Sequence, residues 1–340
     1  MQFFIVFLLL MIFEQLFDAK SSTYTYIISS GKGREALIID PVIEHTNEYL
    51  SILEKLELKL VKVIDTHIHA DHVTGLNELN KRTNCTRIMG EKSKSEVIDL
   101  KIKDDEKINI ENIEFRAIYT PGHTDCSYSY LMNDRVFTGD TLLIKGTGRT
   151  DFQNGNSYEQ YHSIFDRLLK LPEETFVYPA HDYKGENVST IGEEKNFNPR
   201  LQVSSSQEYA KIMENLNLSN PKMMDIAVPT NKSMGLKIDL QKQLNGIDYK
   251  DLIKMSSIDN TLLIDLREES EIEKKPSLKN STHIPYSSFQ RYFKDHEKKL
   301  ANKKIVFYCA VGERSSLAVQ ICQSFKFQNV CHLTGGINNI

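Results

Sequence analysis

The sequence lacks tryptophan and is poor in turn-formers, with 9 prolines and 16 glycines in 340 residues. With 40% hydrophobic and 26% charged residues, that is the composition of an ordinary globular protein. No internal repeat or low-complexity segment interrupts it. A basic excess is also missing. The net charge of -4 argues against nucleic acid as a partner, although local charge at a site can still favour a small anion. Paired cysteines are absent: Cys85, Cys126, Cys309, Cys322 and Cys331 are an odd, scattered set without a CxxC. Neither a disulfide framework nor a thiolate zinc site follows, and the pattern fits a reducing compartment. Nor is there a long hydrophobic run. Residues 1–13, MQFFIVFLLLMIF, are too short to span a bilayer as a helix. No Lys or Arg precedes them, and no small-x-small cleavage site follows cleanly. Met11 is the preferred start, with 1–10 an upstream extension. A signal-like leader or anchor is the minority alternative. The expected location is cytoplasmic, with export through the apolar N-terminus as its minority counterpart, and no membrane partner is expected.

A chain of 340 residues exceeds one comfortable core, so two domains are expected. Strand-like runs fall at 12–17, 23–29, 36–39, 60–64, 108–118, 128–132, 135–138 and 176–178, with helices at 48–58 and 73–82. Asn133-Asp134 supplies the turn between two of the strands. Many short strands with a few helices suggest a two-sheet sandwich flanked by helices. After about residue 200 the pattern changes. A helix at 207–216 leads into a polar stretch holding Asn220-Pro221 and Pro229-Thr-Asn231. From about 243, strands at 261–266, 304–309 and 330–333 alternate with helices at 287–299 and 315–325. That order predicts a small α/β domain with a parallel sheet.

Chemistry concentrates first in His67-Ile-His69-Ala-Asp71-His72, with His123, Asp140 and His181 each following a predicted strand. Imidazole and carboxylate are the usual ligands of zinc and non-haem iron. Five of the ten histidines fall here, whereas His45, His162, His283, His296 and His332 form no comparable cluster and read as structural. Absence of a thiolate argues against a purely structural zinc site. Cys126, near His123, reads as a buried filler.

The HxHxDH run, the Pro-Gly-His123 turn, Thr138-Gly-Asp140 and Pro-Ala-His181 resemble the metallo-β-lactamase superfamily. Within it, five wider strings resemble the persulfide dioxygenases, the ethylmalonic-encephalopathy protein family. They are Leu16-Phe-Asp-x-x-Ser-Ser-Thr-Tyr-Thr-Tyr26, Phe137-Thr-Gly-Asp-Thr-Leu-Leu-Ile144, Gly148-Arg-Thr-Asp-Phe152, Tyr178-Pro-Ala-His-Asp-Tyr183 and Asn198-Pro-Arg-Leu201. This resemblance runs over residues 11–236 and implies an αββα sandwich. It implies one Fe(II) per chain on a two-His-one-carboxylate face of His67, His123 and Asp140, which leaves open positions. His69, Asp71, His72 and His181 would orient ligands and substrate. The implied reaction is oxidation of glutathione persulfide by O2 to sulfite and glutathione. A dinuclear zinc hydrolase of the glyoxalase II type, using the same seven residues for two Zn, stays open because ligand inventory cannot separate the two. Arg149 is a candidate to hold the anionic glutathione part, with a salt bridge to Asp151 the equal alternative. Tyr183 is a second candidate for substrate binding.

A second site is centred on Cys309, which ends an apolar strand and opens Cys-Ala-Val-Gly-Glu-Arg314 before a helix. Backbone N–H groups at a helix start, together with Arg314, would stabilise a thiolate or bound anion. The Cys-x4-Arg ring is one residue shorter than the Cys-x5-Arg of tyrosine phosphatases and suits a single sulfur. With Ile264-Asp-Leu-Arg-Glu268, His283-Ile-Pro285 and Leu333-Thr-Gly-Gly336, it resembles a rhodanese over 243–340. Cys309 would then carry a persulfide and pass its outer sulfur to an acceptor such as sulfite, or take it from thiosulfate. A binding or sensing module is the alternative. The chain stops at Ile340 where a closing segment, often with Trp, is expected, so this domain is expected to be truncated in its final packing. A homo-oligomer is compatible with the sequence.

Overall fold

The computed structural model describes residues 11–95, 97–216, 218, 224–233, 242, 244–256 and 260–340. The stretch 1–10 and the pair Asn220-Pro221 lie outside the described residues. Among the described residues, no helix is long and apolar enough to cross a membrane. The chain divides into two compact units, Met1–Met234 and Gly235–Ile340.

Two six-stranded sheets build the first unit. The first holds β1 (Ile12–Asp18), β2 (Thr23–Ser29), β3 (Glu35–Ile39), β4 (Lys59–Ile64), β5 (Thr86–Gly90) and β6 (Leu100–Ile102), side by side in chain order. Its pairs are antiparallel up to β3 and parallel beyond. The second holds β7 (Lys107–Ile110), β8 (Ile113–Tyr119), β9 (Tyr128–Leu131), β10 (Arg135–Gly139), β11 (Phe176–Pro179) and β12 (Ser189–Thr190), again in chain order. Here β10 and β11 run parallel and the other neighbours antiparallel.

Successive side chains on a strand point to opposite faces, so β2 feeds two cores. Tyr24, Tyr26 and Ile28 enter the layer between the sheets with Phe115, Tyr128, Tyr130 and Phe137. Ile27 packs outward with Ile38, Tyr49, Leu53, Leu76 and Leu79, under the helices Thr46–Lys55 and Leu76–Thr83. On the far side, Val136 and Val177 meet Ile164, Leu168, Ile191 and Tyr209. An αββα sandwich results. The carboxyl ends of β8, β10 and β11 share one edge because these strands run the same way. Cross-sheet backbone bonds from Tyr24 to Ala180 (2.7 Å) and Tyr128 to Thr66 (2.9 Å) tie the first sheet to that edge.

Three local expectations need correction. The single run at 108–118 is a hairpin, with β7 and β8 pairing around Ile110 and Ile113. The polar pair Glu111-Asn112 shifts the apolar positions from 108 and 110 to 113, 115 and 117, a break in the alternation that marks the turn. The helix expected at 73–82 begins at Leu76, because Val73 and Gly75 are held by backbone bonds with Ile43 and Pro41 at 3.0 and 2.6 Å. The polar stretch at Pro229-Thr-Asn231 is part of a helix, Met224–Ser233, with Ala227, Thr230 and Asn231 buried. Spacings of three and four put these on one face, but one small and two polar residues leave no apolar stripe to detect.

The second unit is a five-stranded sheet of order β13-β17-β16-β14-β15, with every neighbouring pair parallel. β14 (Thr261–Asp265), β16 (Lys304–Tyr308) and β17 (Val330–Leu333) are the three strands expected from sequence. The edge strands β13 (Gly246–Ile247) and β15 (Ser281–His283) are too short for a periodic signal. Leu252, Val306, Tyr308, Leu333 and Ile337 fill one face. Phe307 meets Phe289 and Phe293 of the helix Tyr286–Leu300 on the other. Cover on both faces is what a parallel sheet requires.

Candidate metal centre and cysteine loop

The seven candidate ligands read from the sequence converge at the shared strand edge, and Asp40 and Asp65 join His69 in a further cluster beside them. One ligand atom each of His67, His123 and Asp140 lie within 4.8 Å of one another, as do those of His69, Asp71, His72 and His181. Tight turns make this convergence sterically feasible. Gly139 has φ +54° and faces Thr66, whose Oγ1 would stand 2.7 Å from an added Cβ. At Gly148 a Cβ would meet the Asp140 carbonyl at 2.2 Å and His123 Nδ1 at 2.8 Å.

Hydrogen-bond partners decide which nitrogen of each ring keeps a lone pair. The Arg149 carbonyl, 2.7 Å from His123 Nδ1, can only accept, so His123 keeps its lone pair on Nε2. Thr66 donates its hydroxyl proton to Asp40 at 3.0 Å and therefore accepts from His67 Nδ1 at 3.0 Å. His67 thus also keeps Nε2. Asp40 accepts a hydrogen bond from His69 Nε2 at 3.1 Å, and Asp71 accepts one from His72 Nδ1 at 2.9 Å. The remaining nitrogens, His69 Nδ1 and His72 Nε2, are buried without a hydrogen-bond partner. His181 differs: Nδ1 faces Asp140 at 2.6 Å and Nε2 faces Asp71 at 2.8 Å, so both carry protons.

The electrostatics agree. Burial, then the neighbouring His69, holds His67 well below the ordinary imidazole range, as a neutral ligand requires. Burial opposes a charge on His181 as well, yet Asp140 and Asp71 together raise it well above that range. Asp140 is lowered despite burial by His181, His123 and His67. Orphaned imidazole nitrogens beside an anionic carboxylate, with no thiolate, are a donor set that fits a divalent transition metal.

Arg149 forms a two-point ion pair with Asp151, both contacts at 2.6 Å, and lies 4.9 Å over the Phe152 ring. Its backbone carbonyl orients His123. The Tyr183 ring lies parallel to His181 at 6.1 Å and is 70% exposed. Cys126 is buried, and burial pushes its thiol up, as suits a filler.

Besides Asp40 and Thr66, sequence reasoning missed two further residues here. Asn231 donates through Nδ2 to the carbonyls of His69 (3.0 Å) and His72 (2.9 Å), and its Oδ1 accepts from the Thr74 N–H (2.9 Å). It brackets the whole histidine turn from a helix that periodicity could not detect. Thr23 places Oγ1 within 3.3 Å of Asp71, His72 and His181. The Ser-Ser-Thr string was its only signal.

In the second unit Cys309 is fully buried at the end of β16, and its Sγ accepts from the Gly312 N–H at 3.2 Å. Sγ also lies 3.6 Å from Ser315 Oγ, itself 3.4 Å from His332 Nδ1. His332 therefore stands behind the cysteine loop. The Arg314 guanidinium makes a two-point pair with Glu271, both contacts at 2.6 Å. Gly336, at φ +66°, seats against the loop so closely that a Cβ would meet the Ala310 carbonyl at 2.4 Å. The Ile337 N–H bonds the Cys309 carbonyl at 2.9 Å.

Comparison with known proteins agrees with this geometry. The metallo-beta-lactamase superfamily profile matches residues 19–181, and the rhodanese-like domain profile matches 248–340. The mitochondrial persulfide dioxygenase ETHE1 of Mus musculus is 41% identical over 227 residues, 66% of this chain and 89% of that protein. The crystal structure of ETHE1 from Myxococcus xanthus is 48% identical with a TM-score of 0.65, covering 66% of this chain and all (100%) of that one. A metallo-beta-lactamase from Staphylococcus aureus, 21% identical with a TM-score of 0.64, shares the fold over 95% of this chain and 98% of its own.

Proposed function

The chain belongs to the persulfide dioxygenase family of the metallo-beta-lactamase superfamily, and from that premise we propose that residues 11–236 oxidise glutathione persulfide with O2, giving sulfite and glutathione. His67, His123 and Asp140 would hold one Fe(II). The observation that carries this reading is the assignment of lone pairs. His67 and His123 each commit Nδ1 to a protein oxygen and keep Nε2, and Asp140 keeps Oδ2, 3.5 Å from His123 Nε2. His181, flanked by two carboxylates, has no lone pair to give. A bound iron would supply the O2 and sulfur coordination that no side chain offers. Asp71, His72 and His181 would keep the inner wall polar and fixed, and Arg149 and Tyr183 would meet the glutathione part.

Residues 243–340 would act as a sulfurtransferase. Cys309 would accept a sulfane sulfur and exchange it among persulfide, sulfite and thiosulfate, beside the Gly312 N–H and Ser315 hydroxyl. A second reading, two zinc ions and thioester hydrolysis, draws support from the orphaned His69 Nδ1 and His72 Nε2. Anaerobic purification, metal analysis and O2 uptake on glutathione persulfide separate the two. One iron per chain with O2 consumption is expected. About two zinc ions per chain and no O2 uptake would overturn the dioxygenase reading.

A further inference from the structure

A line of hydrogen bonds leaves the metal centre at Thr23 and ends at the protein surface. Thr23 Oγ1, buried at the start of β2, accepts from His181 Nε2 at 3.1 Å and can direct its one proton either to Asp71 Oδ2 at 3.0 Å or along the line to Ser21 Oγ. Ser21 Oγ stands 2.7 Å away and donates to Asp18 Oδ2 at 2.5 Å. The other oxygen of Asp18 lies 3.0 Å from His45 Nε2, and His45 Nδ1 lies 2.9 Å from Glu48 Oε2. At this outer end the His45 and Glu48 side chains are 33% and 54% exposed.

Each station has the chemistry of a relay. A hydroxyl both accepts and donates, a carboxylate has two oxygens, and an imidazole has two nitrogens. Asp18 and His45 are contacted on one side by the previous station and on the other by the next.

We propose that Thr23, Ser21, Asp18 and His45 form a proton path that carries protons from the metal centre to solvent at His45. The proposal rests on the dioxygenase reading, because that reaction must shed protons. Written in full, R–S–S–H + O2 + H2O gives R–S–H + SO3²⁻ + 2 H⁺. The S–S bond breaks, the outer sulfur loses four electrons and O2 gains them, and two protons are left in a site whose walls are buried. The charged groups acting on His45 are Asp18, at the end of β1, and Glu48, on the helix that His45 caps. The Tyr49 ring lies 6.3 Å away. Asp18 first, then Glu48, raises His45 above the ordinary imidazole range against the effect of burial.

The test uses the full chain with its metal. In H45A, O2 uptake at saturating glutathione persulfide is expected to fall by about 10²-fold, the low end for a positioned proton-transfer group. KM and metal content should hold. Added imidazole should restore the H45A rate in proportion to its concentration, because the gap opens to solvent. S21A should lose rate and gain nothing from imidazole, since its gap lies inside the path. An H45A variant that matches the unaltered chain across the neutral pH range overturns the proposal, and so does a loss that imidazole leaves untouched. If the unaltered chain takes up no O2 with glutathione persulfide, the reading of the reaction falls and the path with it. An active chain with an indifferent His45 overturns the path alone.

Discussion

Replacing Asn231 by alanine should loosen the metal centre without touching any of its proposed ligands. Asn231 is buried, and its amide satisfies three backbone groups at once: the carbonyls of His69 and His72 and the N–H of Thr74. Those groups belong to the turn that carries His67, His69, Asp71 and His72. A buried polar group left unpaired costs about 1–3 kcal/mol. Three such groups sharing one cavity should cost on the order of 3–6 kcal/mol, since water entering the space recovers part of the loss and neighbouring terms do not add. Loss of a group that orients ligands typically lowers metal affinity by about 10–100-fold. N231A should therefore unfold at lower denaturant concentration and lose its metal faster to a chelator. Urea titration monitored by circular dichroism and a timed chelator competition would measure both. If N231A retains metal at the unaltered rate and shows the same urea midpoint, the bracket does not support the turn, and the reasoning from its three hydrogen bonds fails.

Other expected outcomes follow from single contacts. G139A should show a deficit in bound metal after anaerobic loading, because a side chain at φ +54° is strained and its Cβ would stand 2.7 Å from Thr66 Oγ1. C309S should abolish sulfur transfer between thiosulfate and glutathione while O2 uptake on glutathione persulfide continues; retention of transfer would remove the cysteine from that reaction. The Asp18–His45 pair should stabilise the fold over a bounded pH window. His45 is raised on folding, so its contribution is full below the ordinary imidazole pKa and fades as pH rises through the raised value. Asp18 is lowered on folding despite burial, chiefly through His45 and Ser21, so its share is full above the ordinary carboxyl pKa and is lost only in strong acid. Urea midpoints at mildly acidic and alkaline pH should differ more in the unaltered chain than in H45Q.

Much of the architecture was legible because alternation and spacing are local. The strand 23–29 and the strand 330–333 came out with the bounds seen in the structure. The hairpin within 108–118 did not, although the shift of apolar positions from 108 and 110 to 113, 115 and 117 marks its turn at Glu111-Asn112. The helix Met224–Ser233 escaped for another reason: besides Ala227 and Val228, its inner face meets the histidine turn through the polar Asn231, which leaves too short an apolar stripe to detect. His332, set aside as structural, stands 3.4 Å from the Ser315 hydroxyl that faces Cys309. The strand it belongs to gave no hint of that, because the helix it meets is separated from it in sequence.

The metal centre divides in the same way. Sequence alone determined that His67, His69, Asp71 and His72 would crowd together, because six consecutive residues cannot separate, and that His123, Asp140 and His181 would follow strands. Only the tertiary structure decided which nitrogens are left to bind a metal. That choice depends on where each ring's other nitrogen finds its partner. Two partners are immediate neighbours, Thr66 for His67 and Asp71 for His72, but the others come from far along the chain: Asp40 for His69, the Arg149 carbonyl for His123, and Asp140 and Asp71 for His181. Whether a ring keeps a lone pair depends on how many of its nitrogens meet an acceptor, and for His69, His123 and His181 the fold brings those acceptors from a distance, which no local pattern records.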